Sequence, residues 1–134
     1  MDLRREVHEE MVLLMKRMDD VTGALVCAVD GMLVTADMRG GGTEQTAALS
    51  SALHAMSGRM TELVQAGALE ETLISGTGGY VACYAAGPKL VLTVLAARGA
   101  NLGLLRMEGR KTAVRLAAIV ERDPAADQAP PARP

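Results

Sequence analysis

Two runs of this chain constrain its fold more than any others. Ala24 to Val29 (ALVCAV) contains no polar residue, and Leu90 to Ala97 (LVLTVLAA) contains only Thr93. A strand with one face in water alternates apolar and polar side chains. Strands that are apolar on both faces need cover on both. The chain is therefore expected to build a sheet with one helix layer above it and one below.

The remaining elements follow from local signals. Asp2 can cap a first helix, in which Leu3, Val7, Met11, Leu14, Met15 and Met18 recur at helical spacing. Asp19, Asp20 and Gly23 are expected to stop it. The apolar run Ala24 to Val29 is followed by Asp30-Gly31 and then by Met32 to Ala36. An Asp-Gly pair between two apolar runs is a strong hairpin signal, because both turn positions must accept positive φ. Asp37 to Gly42 reads as a loop. Thr43 is expected to cap a second helix, from about Glu44 to Ala66, closed by Gly67. Leu69 to Ser75, Tyr80 to Ala86 and Lys89 to Ala96 read as three strands joined by glycine-rich turns. Asn101 is expected to cap a last helix, with Leu102, Leu105, Ala113, Leu116 and Val120 on one stripe.

The order is α-β-β-α-β-β-β-α. Tight turns make antiparallel pairs. The fold class is α/β (α+β): a five-stranded antiparallel sheet with helices on both faces. A chain of 134 residues fits one domain. Residues 1–122 are taken as that domain. Residues 123–134 (DPAADQAPPARP) have no hydrophobic period and read as a disordered Pro/Ala-rich tail.

Composition narrows the function. The net charge is −2, and the basic residues are scattered, which argues against nucleic acid as a partner. There is no Phe or Trp and only two Tyr, so a base-stacking platform or aromatic ligand pocket is hard to build. Nine Met supply adaptable core volume instead. Cys27 and Cys83 lie in apolar runs and read as buried, reduced thiols. The charged N-terminus carries no secretory signal, and no apolar run approaches the roughly 18 residues of a membrane span. The chain reads as cytoplasmic.

No catalytic constellation emerges. His8 sits among charged residues of the first helix, and His54 is assigned to the polar side of the second. Cys27 and Cys83 lack a CxxC partner or a nearby base. No His/Cys cluster has metal-ligand spacing. Gly40-Gly41-Gly42-Thr43 precedes a helix but lacks the Lys of a P-loop, and Glu44 would repel an anion. Glu70 and Glu71, adjacent in a strand, are expected to point to opposite faces. No catalytic residue, metal or cofactor is assigned.

The second helix is unusual. Leu49, Leu53, Met56, Met60, Leu63 and Val64 form one stripe, read as the face that covers the sheet. Ala48, Ala52 and Ala55 line a flank, continued by Arg59 and Glu62, where another helix could approach closely. Ser50, Ser51, His54, Ser57, Gly58 and Thr61 make a polar but nearly uncharged face, read as outward and shaped for contact. The strand that follows is apolar at Leu69, Leu73 and Ile74. If it lies at a sheet edge, it can pair with a second copy.

These features together resemble the Roadblock/LC7 family, also described as dynein light chain-like, which has a profilin-like architecture. The resemblance rests on the element order, on GALVCAVDGMLVTAD (Gly23 to Asp37), on the long second helix, and on LVLTVLAARGANLGLLR (Leu90 to Arg106). It spans about Leu3 to Val120. It implies a homodimer in which the second helices lie antiparallel across a two-fold axis and the third strands pair. It also implies a non-catalytic signalling scaffold that docks a Ras-like small GTPase and, in the bacterial conservon arrangement, works beside a sensor-kinase-like protein. The residues expected at the dimer or partner interface are Ala48, Ser51, Ala52, Ala55, Arg59, Glu62, Leu69 and Leu73. Arg39 and Arg59 are the arginines nearest the docking side, and each reads as a surface residue. The alternative is a sensory domain that binds a small molecule between sheet and helix.

Overall fold

A computed structural model describes residues 2–122. The expected tail, 123–134, lies outside the described residues. Asp2 caps the first helix, accepting from the Arg4 amide at 3.1 Å. That helix, α1 (Leu3–Arg17), buries Val7, Met11 and Leu14 along one stripe. It is followed by β1 (Val21–Ala28) and β2 (Leu33–Asp37), then α2 (Thr43–Leu63). Next come β3 (Glu71–Gly76), β4 (Gly79–Ala86) and β5 (Leu90–Ala97), and α3 (Leu102–Arg122) closes the domain. The element order is the one the sequence implies.

The strands form one antiparallel sheet in the order β2-β1-β5-β4-β3. The meander β3-β4-β5 returns the chain beside β1, which leaves β2 and β3 as the two edges. The α2 helix carries the chain from one edge to the other and must cross a face on the way. Opposite it, α1 and α3 pack on each other and on the second face.

Both faces are covered, as the two-sided apolar strands require. Leu25, Cys27, Cys83 and Val91 pack with Ala47 of α2. Ala24, Val26, Ala82, Tyr84, Leu92 and Val94 pack under α1 and α3. Tyr84 is the largest fully buried side chain. Its hydroxyl donates to the Leu105 carbonyl of α3 at 3.2 Å. Its ring lies against Gly109, where a Cβ would overlap ring atoms.

Several local expectations change. β1 starts at Val21, because Gly23 sits inside the strand at a register shift against β5 instead of ending a turn. Thr43 is the first residue of α2, not its cap; the N-cap is Gly42 in the left-handed region, with no side-chain cap bond. The end of α2 is set before Gly67. Gln65 takes φ 59°, and the Gln65 and Ala66 amides close back on the Glu62 and Thr61 carbonyls, a Schellman end. The hairpin forms, but its turn sits one residue earlier than expected: the Gly31 amide closes on the Ala28 carbonyl at 2.9 Å around Val29-Asp30, Gly31 takes φ 94° while Asp30 does not take positive φ, and the Asp30 carboxylate accepts from the Met32 amide at 3.0 Å. Asn101 caps α3 by accepting from the Leu104 amide at 3.1 Å.

Candidate functional site

The face of α2 that touches the sheet is the polar one. Ala47, Ser50 and Ser51 are its buried residues, and His54, Gly58 and Thr61 follow on the same side, partly buried. Thr93 of β5 donates to the Ser50 hydroxyl at 2.8 Å, and the Cys83 thiol shares a 3.5 Å contact with Thr93. Ser51 donates to the Val29 carbonyl at 2.5 Å. The Cys27 thiol donates to the Ala47 carbonyl at 3.6 Å. The sheet presents Cys27, Cys83 and Thr93 here, and short hydroxyl side chains let the helix sit close while satisfying each polar group.

The expected orientation of α2 is therefore inverted. The stripe assigned to the sheet points mostly to solvent: Leu49 and Met56 are 70% exposed and Leu63 79%, with Met60 and Val64 also exposed. Only Leu53 of that stripe turns inward, against the smaller core cluster. A long helix in a folded domain rarely keeps its largest apolar residues in water. Burying each such side chain is worth ~1.5–3 kcal/mol.

Beside this helix lies β3, which among the described residues is bonded on one edge only, to β4. Leu73 and Ile74 point to opposite faces of it, and both are exposed, at 41% and 43%. The space between α2 and this half of the sheet is a groove of about 530 Å³, lined by Leu49, Leu53, Met56, Ile74, Val81 and Leu95. An apolar helix face, an apolar groove and an open strand edge thus adjoin one another.

The residues assigned from sequence divide. Ala48, Ala52, Ala55, Arg59 and Glu62 lie on the exposed side of α2, and Leu73 lies on the open edge strand. Ser51 does not share that surface, because it is buried beneath the helix. Leu69 precedes β3 and is half-buried on the α3 side of the sheet. Sequence reasoning missed Leu49, Met56, Met60 and Leu63 as outward residues. The available signal was the size of their proposed partners, since small Cys and Thr side chains leave no room for a layer of Leu and Met.

The adjacent glutamates and the two histidines also sit differently from expectation. Glu70 and Glu71 converge on one guanidinium. Arg110 meets Glu71 at 2.6 Å and Glu70 at 2.7 Å, because β3 begins only at Glu71 and Glu70 is free to turn. Arg106 adds a 2.7 Å bond to Glu71, and this bond favours the charged guanidinium further. His8 is not simply solvated; its Nδ1 lies 2.6 Å from the Thr35 hydroxyl. His54 is partly buried toward the sheet, and that burial lowers its pKa.

The titratable groups inside the domain are poised for inertness, not reactivity. Burial, then the Cys83 and Asp30 charges, push the Cys27 thiol up to about 11. Burial also raises Cys83, against hydrogen bonds from Thr93 and Ser50. Burial and the Glu71 charge push Tyr84 up to about 12. A thiol that holds its proton is a poor nucleophile. Cys27 and Tyr84 therefore keep protons in the folded chain that the unfolded chain releases from 9.0 and 10.0. Stability is full below those values and is expected to fall as pH rises through about 11 to 12. Urea midpoints measured from neutral to strongly alkaline pH check this, and Tyr84→Phe should flatten the decline.

Among the described residues, no group of His, Cys, Asp and Glu is placed to hold a metal ion, and no helix is long and apolar enough to cross a membrane.

Comparison with known proteins places this architecture. The family described as the Roadblock/LC7 domain matches residues 7–96. An uncharacterized protein of Methanocaldococcus jannaschii, MJ0714, is 29% identical over 112 residues, covering 83% of this chain and 94% of its own. The crystal structure of a Roadblock/LC7 domain from Streptomyces avermitilis superposes with TM-score 0.77 at 20% identity, covering 84% of this chain and 96% of that one. A structure of MglB with a tetrameric arrangement superposes with TM-score 0.82 at 17% identity, covering 90% and 92%.

Proposed function

This chain belongs to the Roadblock/LC7 domain family, and from that premise we propose that it acts without catalysis, as a homodimeric adaptor that docks a Ras-like small GTPase. The observation that carries the reading is the exposed apolar face of α2 beside the open edge of β3. Pairing two β3 strands would satisfy their free amides and carbonyls and extend the sheet across a two-fold axis. Leu73 would lie at that seam. The two α2 helices would then cover each other's Leu49, Met56, Met60 and Leu63. A stable pair of this kind buries on the order of 1,600 Å². The MglB relative forms a tetrameric arrangement, so self-association has a precedent on this fold.

The Ala48, Ala52, Ala55, Arg59 and Glu62 flank of α2 lies at the rim of that pairing, and we assign it to the GTPase. Small side chains admit a close backbone approach there, and Arg59 and Glu62 supply polar rim contacts. The family resemblance supplies the class of partner, and with it the cytoplasm as the place of action. In the conservon arrangement a sensor-kinase-like protein would join the assembly.

Capture from the native cell followed by nucleotide analysis tests the docking. The expected result is a guanine-nucleotide-binding protein whose retention is lost with Ala55→Glu. Its hydrolysis rate, measured with and without this chain, separates an activator from a passive scaffold. Retention unchanged by Ala55→Glu would remove the α2 flank from the account.

The groove of about 530 Å³ also favours a second reading, a small apolar ligand between helix and sheet. A second copy that closes the groove leaves no room for one. A ligand-dependent rise in Tm in the paired protein would support the sensory reading instead.

A further inference from the structure

The opposite side of the molecule carries another surface that neither the pairing nor the GTPase uses. On α3, Leu104, Met107, Lys111, Val114 and Ala118 recur three or four residues apart and face solvent. Met107 is 47% exposed and Val114 69%. The same helix holds Arg106, Arg110, Lys111, Arg115 and Arg122 against only Glu108 and Glu121, in a chain whose net charge is −2. Arg106 and Arg110 are held by Glu70 and Glu71. Lys111 and Arg115 make no ion pair among the described residues. They flank Val114 and leave positive charge around an apolar centre.

The surface is also concave. A trough of about 440 Å³ runs between α3 and the end of β4, lined by Leu69, Ala85, Gly87, Val114 and Ala117, together with Glu121 and the mutually paired Arg110 and Glu70. A shallow depression beside it is bounded by Arg110, Lys111, Val114 and Arg115. The two share Arg110 and Val114, so they meet across one ridge.

We propose that this face of α3 docks an acidic, amphipathic segment of a partner protein. Apolar side chains of the segment enter the trough against Val114, and its carboxylates meet Lys111 and Arg115. The chemistry is that of a helix or extended peptide laid into a groove, with charge fixing its register. A bilayer could use the positive charge but could not fill a trough walled by a helix and a strand end, and this favours a protein occupant. The proposal does not depend on pairing through β3 or on the GTPase, because α2 lies on the other face of the sheet.

Panning a displayed library of random peptides against the full chain tests it. The expected winners interleave Asp or Glu with Leu or Ile. Their affinity for the chain should fall by about tenfold or more, ~1.4 kcal/mol, with Lys111→Glu plus Arg115→Glu, and likewise with Val114→Asp. It should be unchanged with Met32→Glu, an equally exposed position after the β1–β2 turn that takes no part in the pairing. All these positions are exposed, and thermal melts confirm that the variants fold. Winners without acidic residues, winners lost with Met32→Glu, or no winners at all overturn the proposal. So does binding to phosphatidylserine vesicles that the Lys111→Glu plus Arg115→Glu variant abolishes, which assigns the surface to lipid.

Discussion

Met56→Glu is expected to leave the protein monomeric at concentrations where the native chain pairs. The weakening should be at least ~100-fold, or about 2.8 kcal/mol. Met56 lies near the middle of the outward apolar face, is 70% exposed in the single chain, and also lines the groove beside β3. A carboxylate there costs the isolated domain almost nothing, because water reaches it. In a paired state it would be buried against a second apolar helix without a partner, and an unpaired buried charge costs several kcal/mol. Sedimentation velocity on the native and variant chains, with thermal melts of both, separates loss of pairing from loss of fold. A variant that sediments like the native chain sinks the role given to α2.

Gly109→Ala is expected to destabilise the fold by about 2–4 kcal/mol, an overpacking loss, and to lower Tm by on the order of 10 °C. Helix propensity alone predicts the opposite sign, since Ala is favoured over Gly by ~1 kcal/mol inside a helix. The site decides otherwise. Gly109 is buried on α3, and its added Cβ would overlap the Tyr84 ring, which is fixed at its far end by the bond to Leu105. Neither the ring nor the helix can retreat without opening the core around it. Much of the loss should vanish in a Tyr84→Leu background, where the ring is gone. A Gly109→Ala protein as stable as the native one would contradict this packing.

The sequence made the scaffold legible where a residue acts locally. The Asn101 cap and the two-sided apolar strands each carry their meaning within a few residues, and each appears in the structure as read; Asp30-Gly31 marked the hairpin but not which residues turn. Gly23 misled because a glycine can mark either a break or a bulge, and only the register with β5 decides. Glu70 misled because strand alternation was applied one residue before the strand begins. The α2 helix misled for a deeper reason. A wheel sorts residues into apolar and polar faces and assumes that the apolar one is inward. Here the sheet offers Cys27, Cys83 and Thr93, which match Ser50 and Ser51, so the polar face is the inner one. Which face a helix buries depends on the surface beneath it, and that surface is assembled from strands distant in the chain. The candidate site was thus half legible: its elements were identified, but the residues that make it sticky were assigned to the core.

Light scattering on the native chain across the micromolar range tests the central claim most directly. One chain weighs 14.0 kDa. Pairing through β3 and the outward face of α2 predicts a mass of twice that, dropping to the single-chain value with Met56→Glu. A native protein that stays at 14.0 kDa throughout contradicts the account.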